Sequence, residues 1–69
     1  MKNQNLVAAR QHLGKTQKQV ADEVKLNIRM YQRYERGTRT PNAPTGNSIA
    51  RALGTTSEAL FGFRLTNVV

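Results

Sequence analysis

The 69-residue sequence contains no cysteine and no tryptophan. Without cysteine there is neither a disulfide framework nor a thiolate-bound metal to support the fold, and nothing argues for secretion. With one histidine, His12, and one aspartate, Asp22, the sequence shows no Ser/His/Asp triad pattern within one chain. His12 reads as an exposed helix residue, and no metal site or other cofactor is expected. Asp22 and Glu23 are adjacent, so on a helix they point to different sides. No glycine-rich loop is present to cradle a phosphate. These absences exclude the usual catalytic constellations, and the chain does not read as an enzyme.

Long apolar runs are also missing. None approaches the roughly 20 residues that cross a bilayer. The stretch from Met1 to Asn5 is polar and lacks the apolar centre of a signal peptide. A cytoplasmic protein without a membrane partner is the expectation.

Acidic residues are scarce: four Asp and Glu stand against eleven Lys and Arg, for a formal net charge of +7. Such an excess favours a polyanionic partner through long-range attraction and counterion release. Charge alone does not separate DNA, RNA and an anionic membrane surface. A membrane-surface peptide needs an exposed apolar stripe behind its cations. Here the basic faces are backed by what reads as a folded core, which leaves nucleic acid. The length implies one small domain with a thin core.

The chain is organised around Thr16 to Gly37, TQKQVADEVKLNIRMYQRYERG. It reads as two short helices and a tight turn. A first helix, from Asn3 or Gln4 to Leu13, precedes it, with Leu6, Ala9 and Leu13 as an apolar stripe. Arg10 lies unusually on that stripe, and Gly14 suits a left-handed helix end. The second helix, Gln17 to Val24, starts at Thr16, which makes a Thr-x-x-Gln capping box with Gln19. Val20, Ala21 and Val24 form its inward face. Gln17 reads either as a phosphate contact or as an ordinary first-turn residue.

Lys25 and Leu26 make the turn, and Asn27 caps the third helix, Ile28 to Arg36, which ends at Gly37. At about 100° per residue, Arg29, Gln32, Arg33 and Arg36 share about 100° of arc. Tyr31, Tyr34 and Glu35 fall on the other side. The arginine row has no acidic partner one turn away, is backed by bulky anchors, and continues past the helix in Arg39. An anchored cationic helix of this kind can read a nucleic-acid groove.

Pro41 and Pro44 keep Thr38 to Pro44 from forming a continuous helix. Asn42 caps a fourth helix with Pro44 in its first turn, Ile49, Ala50 and Leu53 inward, and Gly54 at its end. Gly46 and Asn47 make its beginning a weak helix former. Thr56 caps a fifth helix, Ser57 to Phe61, with Glu58 near its start and Leu60 inward. The tail then changes period. Phe63, Leu65 and Val69 alternate with the other face, where Val68 lies, as in a short strand. The domain is therefore read as residues 1–62, with 63–69 as a tail. That tail either pairs with a second copy across a two-fold axis or folds back over helices one and five. The dimer is the favoured alternative.

Four pieces in order carry a family resemblance: Arg10 with Leu13–Gly14; TQKQVADEV with Gln17 and Ala21; Tyr34 to Gly37 followed by Pro41; and IARALG running into Glu58 to Gly62. From about Leu6 to Gly62 the chain resembles the Cro-type, or xenobiotic-response-element (XRE), helix-turn-helix regulators of phage and bacteria. The resemblance implies an all-α, five-helix, lambda-repressor-like domain with Ile28 to Arg36 as recognition helix. It implies a buried structural pair of Arg10 and Glu35. It places base contacts at Ile28, Arg29, Gln32 and Arg33, and phosphate contacts at Thr16, Gln17, Thr38 and Arg39; Arg36, on the arginine row, is added to the latter. The sequence departs from the family at Lys25, where glycine is common, and at Ala43, Thr45 and Gly46, where larger apolar residues are usual. The expected function is that of a sequence-specific double-stranded DNA-binding regulator. It would act as a repressor, bind as a homodimer and associate with the nucleoid. An alternative is an antitoxin-like module whose main partner is another protein.

Overall fold

Every helix begins at a side-chain oxygen that accepts a backbone N–H three residues on, or two in the case of α3. Asn3 Oδ1 accepts from Leu6 at 3.0 Å and starts α1, Gln4–His12. Thr16 Oγ1 accepts from Gln19 at 3.0 Å and starts α2, Gln17–Glu23. Asn27 Oδ1 accepts from Arg29 at 2.8 Å ahead of α3, Ile28–Arg36. Asn42 Oδ1 accepts from Thr45 at 3.0 Å ahead of α4, Ala43–Ala52. Thr56 Oγ1 accepts from Ala59 at 3.1 Å ahead of α5, Ser57–Phe61. Each cap satisfies an N–H that has no partner inside its helix and contributes typically about 1 kcal/mol. The capping box at Thr16 is complete, since Gln19 Oε1 accepts the Thr16 N–H at 2.8 Å.

The computed structural model describes residues 2–61, which are all-α, with five helices and no strand among them. The strand reading for Phe63, Leu65, Val68 and Val69 lies outside the described residues. α2 packs on α3 and α4, while α1 packs on α3 and α5, and α4 on α5. Leu6, Val20, Tyr31 and Ile49 are fully enclosed at the centre, with Ala21, Ala50, Leu53 and Leu60 around them. Burying a large apolar side chain contributes about 1.5–3 kcal/mol. Such contacts supply most of what holds so short a chain.

Two expectations for α1 and α4 change. Leu13 is 45% exposed, and the buried face uses Leu6 and Val7 instead. The helix stops at His12, and the Leu13 N–H turns back to the Arg10 carbonyl at 3.1 Å. That tight i−3 bond swings Leu13 off the apolar stripe before Gly14 reverses the chain at φ +69°. α4, in contrast, is regular from Ala43 onward despite Gly46, which is buried. Asn42 and Pro44 set its first turn, and Ile49 and Ala50 then lock it to the core.

The turn between α2 and α3 holds the one non-glycine residue with positive φ among the described residues, Lys25 at φ 59°. The Leu26 N–H closes this turn on the Ala21 carbonyl at 2.8 Å. A side chain in the left-handed region costs on the order of 1 kcal/mol because Cβ crowds the following carbonyl. Lys25→Gly is therefore expected to raise the melting temperature by a few degrees in a thermal melt. Lys25→Val should lower it, because a β-branched residue fits this conformation worst.

Candidate nucleic-acid interface

α3 is held from behind. Tyr31 is fully enclosed, and Tyr34 and Glu35 are nearly so. Their side chains occupy one side of the helix, which forces the opposite side outward. At the C-terminal end Gly37 takes φ 81°, and the Thr38 N–H returns to the Arg33 carbonyl at 3.1 Å. Both ends of α3 are thus closed by defined hydrogen bonds.

The outward side carries Arg29, Arg33 and Arg36, all exposed, with Arg39 exposed in the loop beyond. None has an ion-pair partner among the described residues. The acids of α2 are occupied elsewhere: Lys15 Nζ meets Glu23 at 2.9 Å and Lys18 Nζ meets Asp22 at 3.2 Å. The field of the arginine row is therefore uncancelled locally. Ile28 and Gln32 stand half-buried beside the row.

Arg10 and Glu35 meet in a largely buried ion pair. Arg10 Nε donates to Glu35 Oε2 at 2.6 Å and Nη2 to Oε1 at 3.3 Å. The guanidinium also donates through Nη1 to the Lys15 carbonyl at 2.9 Å. One side chain thus joins α1, the loop before α2, and α3. Burial pushes the Glu35 carboxyl upward, but hydrogen bonds from Arg10 and Gln17 outweigh it and hold the group below the usual carboxylate range. The hydrogen bond to Glu35 raises Arg10 in turn, against burial. Tyr31 lies close to both; burial first, then the neighbouring carboxylate, raises its phenol, whose oxygen has no well-formed hydrogen bond.

The residues expected to touch phosphate are placed unevenly. Thr16 is exposed at the start of α2, its oxygen engaged as the cap. Thr38 is exposed, and its hydroxyl donates to the Arg33 carbonyl at 3.3 Å. Gln17 is not free: its Nε2 donates to Glu35 Oε1 at 2.9 Å, and its Oε1 accepts from Gln32 Nε2 at 3.1 Å. This bond between Gln17 and Gln32 escaped the sequence reading. The two residues are 15 positions apart on different helices, and only their shared ability to bridge amides hinted at it. Lys2, also unforeseen, lines a shallow depression of about 240 Å³ together with Gln17, Gln32, Glu35 and Arg36.

Two helices joined by a tight turn, with the second anchored through one face and presenting free cations on the other, define a helix-turn-helix DNA-binding domain. A helix-turn-helix family profile matches residues 6–60. The chain belongs to that family, the XRE-type helix-turn-helix domains of DNA-binding transcription regulators. No curated protein and no solved structure matches it.

Breaking the Arg10–Glu35 pair tests its structural role. Arg10→Met leaves a buried carboxylate without its cation, a loss of roughly 3–5 kcal/mol that a melt without DNA should reveal. In the wild type the folded-state pKa of Glu35 is depressed. Its contribution is therefore complete above the usual carboxylate range and is lost as pH falls through the folded value. In Arg10→Met burial meets less opposition and the folded pKa rises. Acidification from neutral pH toward about 5 should then narrow the stability gap to wild type. An unchanged melt with DNA binding abolished would make Arg10 a contact residue.

Proposed function

We propose that this protein is a sequence-specific regulator of transcription, acting as a repressor on a near-palindromic operator in double-stranded DNA. The observation that carries this reading is the row of exposed arginines without acidic partners on a helix anchored by Tyr31, Tyr34 and Glu35. The dimensions of the major groove admit such a helix. Arg29 and Arg33 can each take guanine O6 and N7 with the guanidinium fork, Gln32 can take adenine, and Ile28 can pack on a thymine methyl. Thr16, Arg36, Thr38 and Arg39 would fix the register on the phosphates. Gln17 keeps one N–H beyond its bond to Glu35 and can join them.

The proposed unit is a homodimer, whose half-sites would lie about 34 Å apart on one face of the duplex. Phe63, Leu65 and Val69 are the proposed interface, pairing with their counterparts across the two-fold axis. The reasoning is one of exposure: each large apolar side chain left in water costs about 1.5–3 kcal/mol relative to burial, and the small core offers little cover. The protein would work in the cytoplasm, associated with the nucleoid when bound.

Arg29→Ala, Gln32→Ala and Arg33→Ala should each weaken binding to the selected operator by about 1–3 kcal/mol and binding to random DNA much less. Arg39→Ala should weaken both, and reduce the slope of log K against log salt by about one. Titrations on both DNAs at several salt concentrations measure this; equal losses for all four variants would exclude base reading by α3. Truncation after Gly62 should yield a folded monomer with weakened operator binding. Sedimentation checks it: a truncated dimer, or a full-length monomer at high concentration, removes the tail from the interface.

A further inference from the structure

The C-terminal ends of α2 and α4 lie together and form an open groove of about 430 Å³, lined by Glu23, Val24, Lys25, Ser48, Arg51 and Ala52. Lys15 ties the two ends: its Nζ donates to Glu23 Oε1 at 2.9 Å and to the Ala52 carbonyl at 3.4 Å. The charge of Glu23 is thus met by Lys15. Lys25 and Arg51 stand exposed, with no ion-pair partner among the described residues. Val24 and Ala52, both half-buried, add apolar surface to the same groove. None of Arg29, Arg33, Arg36 and Arg39 lines it.

Lys25 pays for its place in the turn. It holds φ 59°, where glycine would keep the same turn without strain. A cation near the last turn does favour the negative end of a helix, but that effect is screened at the surface and needs no strained position. A residue that strains the backbone, and whose side chain binds nothing in its own chain, points to a use outside the fold. We propose that this groove docks an acidic stretch of a partner protein. The stretch lies extended, with carboxylates on Lys25 and Arg51 and an apolar side chain against Val24 and Ala52.

The mixed lining decides the class of partner. A nucleic-acid backbone brings only acceptors on its phosphates, and here they would meet the Glu23 carboxylate and the carbonyls of two helix ends. An extended peptide brings backbone N–H groups as well. Glu23 Oε2 and the Ser48 hydroxyl can accept these while acidic side chains reach the two cations. The groove shares no residue with the outward side of α3, so partner and DNA can be held at once. The inference therefore does not rest on the reading of α3 as the base-reading helix.

The experiment follows backbone amide resonances of the full-length protein during titration with a short peptide that carries two glutamates on each side of one leucine. The expected result is movement of the Val24, Lys25, Ser48, Arg51 and Ala52 signals, reduced by added salt. The same peptide with glutamine for glutamate should move none of them. Lys25→Gly and Arg51→Gln should each weaken binding about threefold, the effect of one exposed ion pair, read from the Ser48 and Ala52 signals. A melt verifies that both variants fold. Silence of the groove signals at millimolar peptide, or movement confined to Arg29 and Arg33, would overturn the proposal. So would equal movement with the glutamine peptide, or undiminished binding by both variants. Two further controls name the other occupants. Movement of the groove signals with protein concentration alone would give the groove to a second copy, and movement on adding duplex DNA would give it to phosphate; either result refutes docking of an acidic peptide.

Discussion

The interaction on which the rest depends is the contact of Arg10 with Glu35. A carboxylate enclosed in a core this small is tolerable only when its charge is met and its lone pairs are filled. Arg10 does the first, and Arg10 with Gln17 does the second. Because Arg10 also holds the Lys15 carbonyl, the same group that neutralises α3 positions the entry to α2. The angle between α2 and α3 is thereby tied to an electrostatic requirement as well as to apolar packing. A different crossing of these helices would strand a buried charge.

This explains why a thin core can present a cationic helix. Four arginines close together repel one another, and the helix bearing three of them has a single buried face to restrain it. Tyr31 and Tyr34 contribute area, while Glu35 contributes direction, since hydrogen bonds fix orientation more tightly than apolar contact does. The lysines of α1's loop and of α2 meanwhile take up Glu23 and Asp22. Positive charge is left without an ion-pair partner, among the described residues, on the exposed side of α3. Fold and surface here share their electrostatics: one ion pair is buried to hold the helix, and the exposed arginines of α3 are left open to attract a polyanion.

The departures from the family pattern cost less than their residue types suggest. Lys25 adopts the left-handed conformation that glycine would take more readily, and the closing bond from Leu26 to Ala21 is still made. α4 begins with small and polar residues, yet it forms because Asn42 caps it and Ile49 binds its far end to the core. Helix propensity is a weak force beside a cap and a packed face.

Residue types and short spacings were enough to define the charge, the helix-turn-helix order and the caps at Thr16, Asn27, Asn42 and Thr56. They also divided α3 into a tyrosine face and an arginine face. The charge is a count over the chain, while each cap and face is settled within one helix, because a cap spans two or three residues and a face depends only on the helical repeat. The pair of Arg10 and Glu35 was legible through family likeness alone, as no local rule joins residues 25 positions apart. The tertiary structure alone decided that Leu13 turns outward and Val7 inward. It alone joined Gln17 to both Glu35 and Gln32. Those outcomes hinge on where a helix stops and how two helices cross, and a crossing is set by the packing of the whole core rather than by any one stretch of chain.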